Sequence, residues 1–408
     1  LAAAHRARIE GPGSELRAEA EAWRTALDGI AREAAGSTQA RSSRHRRSTD
    51  GFRFGRPCPR LSAAEAAASF DDIAASGVPI VLEGAEPWSA GQTSWTVESL
   101  IARAGDEIVK ASLTYQDGQT SLYPEALDWV PRLRQETRAA LRAAGLAASE
   151  VERRVLLRAP VLALRLADLL DPGRAPAALA RGPCRAELYA HQLDIDIYLP
   201  QLRREVELPA WLGSAQHRRL RFANLWASTG ATFTSLHTDN FENLLFVANG
   251  SKEVLVLPRG LASDAGIRPR LAVHPGAAPP SSARALGWHS CGGLPRRLLG
   301  VRSRRSRGGG DAEQGSGDAE DAEEASLPIE QVRIDRNHGH VNLTGDASGA
   351  RLDPLLRRAW KCSVRPGEAI FIARLAPHAV ISSAGSAGAS LAVNFWLDPG
   401  TSVGERDG

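Results

Sequence analysis

The sequence predicts a mainly β fold with flanking helices (α+β), closed as an antiparallel barrel or jelly roll. From Leu220 onward short β-rich runs recur (LRFANLW, TFTSLH, NLLFVA, VLVL, AIFIA and LAVNFWL), separated by Gly, Asn and Pro. Many short strands at such spacing are the signature of closed antiparallel architectures. Good helix formers are concentrated upstream of these runs. The chain has 408 residues, 43% of them hydrophobic and 24% charged, enough for one large core with appendages.

The elements follow in order. Residues 14–35 place Leu16, Ala20, Trp23, Leu27 and Ile30 on one stripe, which predicts an amphipathic helix. Residues 36–50 (GSTQARSSRHRRSTD) are polar and basic without periodicity and read as a flexible link. Ser62 is placed to cap a helix over AAEAAASFDDIAAS, followed by a short apolar strand at 79–82. The expected organisation is therefore a helix and basic linker over 1–50, an N-terminal α/β portion over 51–219, a barrel core over 220–398 and a tail over 399–408. Within the core, residues 285–328 carry an Arg cluster, a Gly run and an acidic block. That composition predicts a disordered insertion, or retained intron sequence.

The net charge of +3 offers no whole-chain case for nucleic acid or an anionic membrane as a required partner. Cys58, Cys184, Cys291 and Cys362 are widely spaced without a CxxC pair, so neither a disulfide framework nor a zinc ribbon is expected. No apolar run has the length of a membrane-spanning helix and no signal peptide is evident. An intracellular protein, cytoplasmic or nuclear, is the expectation. The sequence begins at Leu1 and contains no Met, as expected of a fragment or an imperfect gene model.

Chemistry concentrates in residues 234–252, TSLHTDNFENLLFVANGSK. Residues two apart on a strand share a face, so His237 and Asp239 can offer an imidazole and a carboxylate to one ion. His378, after the AIFIA run and Pro377, is the candidate third ligand. Two histidines and a carboxylate on one face of a metal leave positions open, the arrangement of non-haem Fe(II) oxygenases, although zinc and manganese accept the same ligands. Lys252 strengthens the iron reading. A dianionic cosubstrate needs a cation at the closed end of the barrel, and among 50 Lys and Arg residues only Lys110, Lys252 and Lys361 are lysines. His191, His289 and the NHGH pair His338 and His340 read as surface residues. No GxGxxG or Walker loop is present, the Arg-rich stretch lacks interleaved aromatics, and no nucleophile, base and orienter set appears around any Ser or Cys.

The segments TSLHTDNFENLLFVANGSKEVLVLP, WKCSVRPGEAIFIARLAPHAV and LAVNFWLD, with PIVLEGAEPWSAGQTSW and ELYAHQLDID upstream, resemble the JmjC (jumonji C, cupin-like) oxygenases. The nearest likeness is to the small JmjC lysyl hydroxylases that act on translation-associated GTPases, over roughly residues 62–398 with the insertion excluded. The resemblance implies a double-stranded β-helix (cupin) core and iron on His237, Asp239 and His378. It also implies Fe(II), 2-oxoglutarate and O2 as cofactor and cosubstrates. Thr234 and Lys252 would bind the C5 carboxylate of 2-oxoglutarate with help from the Tyr189 hydroxyl, and Asn243 and Asn394 would line the pocket. The implied reaction is hydroxylation of a protein side chain, lysine first, coupled to decarboxylation of 2-oxoglutarate to succinate. The implied partner is a protein or peptide, a translation-associated GTPase among them, with no nucleic acid or membrane required.

Three departures from the family pattern stand beside this: Ala376 two positions before the distal histidine, Ala373 at the end of the preceding strand, and Leu397 after the FW pair. They keep open a catalytically degenerate cupin acting as a binding module. An N-methyl-lysine demethylase uses the same ligands and is the enzymatic alternative. The chain ends shortly after Asp398, so the C-terminal helices that relatives use for dimerisation are expected to be absent.

Overall fold

A computed structural model describes residues 13–35, 51–52, 54–88, 95–115, 118–123, 134–171, 187–275, 329–339 and 353–398. The basic link at 36–50, the acidic insertion at 285–328, the tail at 399–408, and Cys184, Cys291, His289 and His340 lie outside the described residues.

The N-terminal half contributes β1 (Arg56–Pro57), β2 (Arg60–Ser62), β3 (Ile80–Glu83), β4 (Ile108–Leu113), β5 (Ser121–Leu122), β6 (Glu152–Arg158), β7 (Val161–Arg165) and β8 (Leu188–Asp194). The C-terminal half contributes β9 (Leu220–Ser228), β10 (Thr232–His237), β11 (Glu242–Asn249), β12 (Ser251–Val256), β13 (Arg270–Pro275), β14 (Ile329–Asp335), β15 (Trp360–Val364), β16 (Glu368–Ile372), β17 (His378–Ser383) and β18 (Ser390–Leu397). Two sheets face each other. One has the order β1-β15-β12-β17-β10 and the other β2-β3-β16-β11-β18-β9-β8-β4-β7. From β9 to β12, and again from β15 to β18, the chain alternates between these sheets, which is the jelly-roll winding. A third sheet, β14-β13-β6-β5, lies beside β10, where the Thr120 amide donates to the Phe233 carbonyl and the Gly339 amide to the Leu236 carbonyl.

Each of the six β-rich runs overlaps a strand. The barrel also uses WKCSV and HAVISS, in β15 and β17, which are mixed in polarity and less legible as strands. β11 is buried along Glu242–Val247 and β18 at all but one position, so both strands are covered on two faces and read as near-continuous apolar runs. Interior positions such as Phe246, Phe371 and Phe395 are buried to 2% or less, and each ring so buried contributes about 1.5–3 kcal/mol from removal of its apolar area from water.

Two helices meet their sequence expectations. α1 (Gly13–Ala35) buries Ala20 and Trp23, two members of its predicted stripe, and packs mainly on β7. α2 (Ala63–Ser76) starts from Ser62, whose hydroxyl accepts from the Glu65 amide while the Glu65 carboxylate accepts from the Ser62 amide. This reciprocal box satisfies two of the helix's orphan donors. Gly77 ends the helix at φ 67, in the left-handed region where a glycine carries no Cβ penalty.

The cysteine expectation is corrected in one respect. Cys58 and Cys362 form a disulfide with Cα atoms 5.0 Å apart, joining the segment between β1 and β2 to β15. Their separation of 304 residues in sequence hides the pairing, which the parallel β1–β15 register creates. Among the described residues no helix is long and apolar enough to cross a membrane.

Candidate metal centre and cosubstrate pocket

β10 and β17 pair antiparallel, with His237 opposite His378 and a shift in register between Thr234 and His237. The shift lets both imidazoles turn into the same space, with ring centroids 4.2 Å apart. His237 Nδ1 lies 2.8 Å from the Ser235 carbonyl and His378 Nδ1 2.9 Å from the Ala376 carbonyl. A carbonyl only accepts, so both Nδ1 atoms carry the proton and both Nε2 atoms present a lone pair. Burial, first, and the neighbouring imidazole push His378 down to about 4, and burial lowers His237 as well, so the rings stay neutral and ready to ligate.

Asp239 completes the set from beyond the end of β10. This corrects the two-apart argument, because the strand stops at His237 and no strand pleat aims the carboxylate. It is held instead by its carbonyl, which accepts from the Leu375 amide at 2.8 Å, while the neighbouring Thr238 amide donates to the Asn337 carbonyl. Leu375 takes φ 59, a left-handed conformation costing a non-glycine residue about 1–3 kcal/mol, so surrounding structure must enforce the contact. Asp239 Oδ2 stands 3.6 Å from His378 Nε2, and the ligand atoms of His237, Asp239 and His378 all lie within 4.8 Å of one another. Among the described residues this is the one His, Cys, Asp or Glu cluster with that spacing.

A narrow recess runs from this cluster into the barrel, lined by Tyr189, Trp226, Thr234, Asn243, Leu245, Lys252, Ile372 and Val380. Lys252 is 3% exposed and its ammonium donates to Ser382 Oγ at 2.7 Å. No carboxylate of the described residues forms an ion pair with it. Burial alone pushes it down to about 7. A buried ammonium with a single neutral partner is expensive, and an incoming carboxylate removes that expense. The turn before it is tight: Gly250 has φ +76, and a Cβ there would fall 2.2 Å from the Ser383 carbonyl. The Tyr189 hydroxyl lies beside Thr234 and Ser382, with its ring 6.0 Å from the Lys252 ammonium.

Of the sequence-predicted residues, His237, Asp239, His378, Lys252, Thr234, Tyr189 and Asn243 therefore converge on one recess. Asn394 does not line it. It is fully buried one layer behind, where its oxygen accepts from Asn224 Nδ2 at 3.1 Å and Trp226 Nε1 at 2.8 Å while its amide donates to Asn243 Oδ1 at 2.9 Å. It orients two lining residues. Ser382 and Trp226 escaped the sequence reading. An alternation count within β17 and β9 could have found them, since Ser382 shares the strand face of His378 and Trp226 that of Asn224.

His338 corrects the surface assignment. It is buried, pairs through its backbone with His237 and stacks on that ring at 5.4 Å. Its Nδ1 faces both oxygens of Asp335, at 3.0 and 3.2 Å. His191 is exposed, in line with its surface reading; its Nε2 stands 3.0 Å from Ser112 Oγ and it lines the outer cavity beside the recess. The sequence position of the NHGH pair, next to a long polar insertion, concealed the role of β14.

A family model described as a cupin-like domain matches residues 66–402, which covers both halves of the barrel and every residue of the recess. The chain belongs to the cupin-like domain family. No curated protein is similar enough to this cupin-like domain to count as a match. The family fits iron- and 2-oxoglutarate-dependent oxygenases generally, and the donor set in this cupin-like domain fits such a metal: two lone-pair nitrogens and a carboxylate on one side, with the cavity on the other.

Proposed function

We propose that this cupin-like domain is an Fe(II)- and 2-oxoglutarate-dependent dioxygenase that hydroxylates a protein or peptide side chain. One observation carries the reading: Lys252, a buried ammonium without a carboxylate partner, closes the same recess that His237, Asp239 and His378 open. A structural zinc site needs no cation behind it, whereas a dicarboxylate bridging metal and lysine does. Iron and 2-oxoglutarate would supply the oxidising power, with succinate as the by-product.

The chain's own residues do the rest. His237, Asp239 and His378 would hold the metal, their orientation set by the carbonyls of Ser235 and Ala376 and by the Leu375 amide. Lys252, Thr234 and Tyr189 would receive the far carboxylate of the cosubstrate, and Asn394 would hold Asn243 and Trp226 around its middle. Packing also answers the departures at Ala373, Ala376 and Leu397. All three are buried to 3% or less, and His378 itself is 2% exposed, so the smaller side chains do not open the site around it to solvent. This supports an active centre over a degenerate one. Lysine is the side chain that the resemblance nominates; the outer cavity, with guanidinium groups on its wall, supports a non-basic target instead.

The test is an anaerobic titration of the full chain with Fe(II) and 2-oxoglutarate, watching for the metal-to-ligand charge-transfer band in the visible. The reading expects the band in wild type, its loss in Asp239→Ala and its weakening in Lys252→Ala. Its absence from the folded wild type at millimolar iron and cosubstrate would make a binding module the better account.

A further inference from the structure

Beside the metal cluster lies a second cavity of about 280 Å³, sharing Tyr189, Trp226, Thr234, His237 and Asp239 with the inner recess. It is the space from which a substrate would reach the metal. Its far wall comes from β6, β13, β14 and the segment that follows β14, and includes Arg158, His274, Arg333, Asp335 and His338. We propose that this chamber receives a substrate side chain bearing a carboxylate, with Arg158 as its anchoring residue. This rests on the oxygenase reading for its purpose and on the chamber wall for its chemistry.

Asp335 is saturated: it accepts from the Asn337 and His338 amides at 3.0 Å each and from the His338 ring, and it faces Arg158 at 3.5 Å. Asp239 belongs to the metal cluster. Among the described residues no other carboxylate lines the chamber, so an incoming ammonium would find no free anion on this wall and would meet two guanidinium groups. Like charges brought together in a partly desolvated site are strongly disfavoured.

Arg158 is in the opposite situation. Its side chain is only 23% exposed, and among the described residues its one ion-pair contact is the 3.5 Å approach of one terminal nitrogen to Asp335. Its Nε is buried and has no hydrogen-bond partner. A guanidinium presents five donors in a fixed fork that matches a carboxylate, and here most of the fork is unused. His274, in the same wall, likewise has a buried Nε2 without a partner. Arg158 and His274 both line this cavity and each carries a buried polar atom without a hydrogen-bond partner, so the wall has polar capacity that its protein neighbours do not use. Arg333, at the exposed rim, adds positive charge along the entry path.

The test uses two fluorescein-labelled peptide pools, identical except for Asp or Lys at the central position. Each is titrated into the full chain loaded anaerobically with Fe(II) and 2-oxoglutarate, where no turnover occurs. The Asp pool is expected to bind at least tenfold tighter, with the preference lost in Arg158→Gln and partly kept in Arg158→Lys. Should Arg158→Gln not fold, protection of Arg158 in the wild type from phenylglyoxal by the Asp pool reads the same contact. Equal, reversed or undetectable binding, a preference that survives Arg158→Gln, or an unprotected Arg158 overturns the proposal. The charge-transfer band in the same sample separates the two readings. Its absence together with a clear Asp preference sinks the oxygenase assignment and leaves the acidic site standing, and its presence without a preference does the reverse.

Discussion

His237 and His378 sit opposite each other on β10 and β17 with ring centroids 4.2 Å apart, and each locks its Nδ1 onto the carbonyl two residues before it. The same local device on two strands orients both lone pairs before any metal arrives. Such outer contacts tune ligands as much as the ligands tune the ion.

Lys252→Met should separate stability from function. The substitution removes a buried charge whose hydrogen-bond partner is Ser382 and substitutes a side chain that fills similar space. The melting temperature is expected to hold or rise, while affinity for 2-oxoglutarate falls about 10- to 150-fold, as loss of charge-assisted bonds implies. Differential scanning fluorimetry and equilibrium titration check both arms, and a folded variant with unchanged cosubstrate affinity refutes the assigned role.

Cosubstrate binding should take up a proton. In the free protein burial holds Lys252 at about 7 rather than its usual 10.5, so near pH 8.5 the folded chain has lost that proton while the unfolded chain retains it. The unfolded state then binds more protons, and this group's contribution makes the cosubstrate-free fold more stable as pH rises from 7 to 10.5. A dianion selects the charged form, so affinity should fall about tenfold per pH unit above 7. Calorimetry in buffers of different ionisation enthalpy reads the proton count, and zero uptake at pH 8.5 contradicts the prediction.

Asn394→Ala should damage the fold and the recess together. It would strand Asn243 Oδ1, Asn224 Nδ2 and Trp226 Nε1, all bonded to the Asn394 amide. Each buried group left unpaired costs about 1–3 kcal/mol. Chemical denaturation is expected to show a loss of at least about 2 kcal/mol, with Asn394→Asp milder because it keeps the shared acceptor. Equal effects of the two would mean that the network is not what Asn394 supplies.

Gly250→Ala should act on Lys252 at a distance. A Cβ at this position meets the Ser383 carbonyl at 2.2 Å, on a backbone with φ +76. Relief requires β12 and β17 to move apart where Lys252 reaches Ser382. The expected result is a destabilisation of more than about 1 kcal/mol with weakened cosubstrate binding. A variant as stable as wild type would show that the turn adapts without disturbing the sheet.

The sequence by itself determined the strand-rich core and the helix cap at Ser62, and it singled out His237, Asp239 and His378, which the structure gathers at metal-ligand spacing. These depend on local periodicity, on short-range caps, and on chemically distinctive residues that stand out in composition, such as Lys252 in an arginine-dominated chain. The tertiary structure alone decided the rest. The Asp239 backbone is held by the Leu375 amide and not in a strand pleat; Asn394 stands behind the recess; Cys58 meets Cys362 through a parallel strand pairing; and the segment after β14 carries His338 against His237. In each case the deciding contact joins residues far apart in the chain, and no local pattern encodes which distant backbone group or ring will lie opposite.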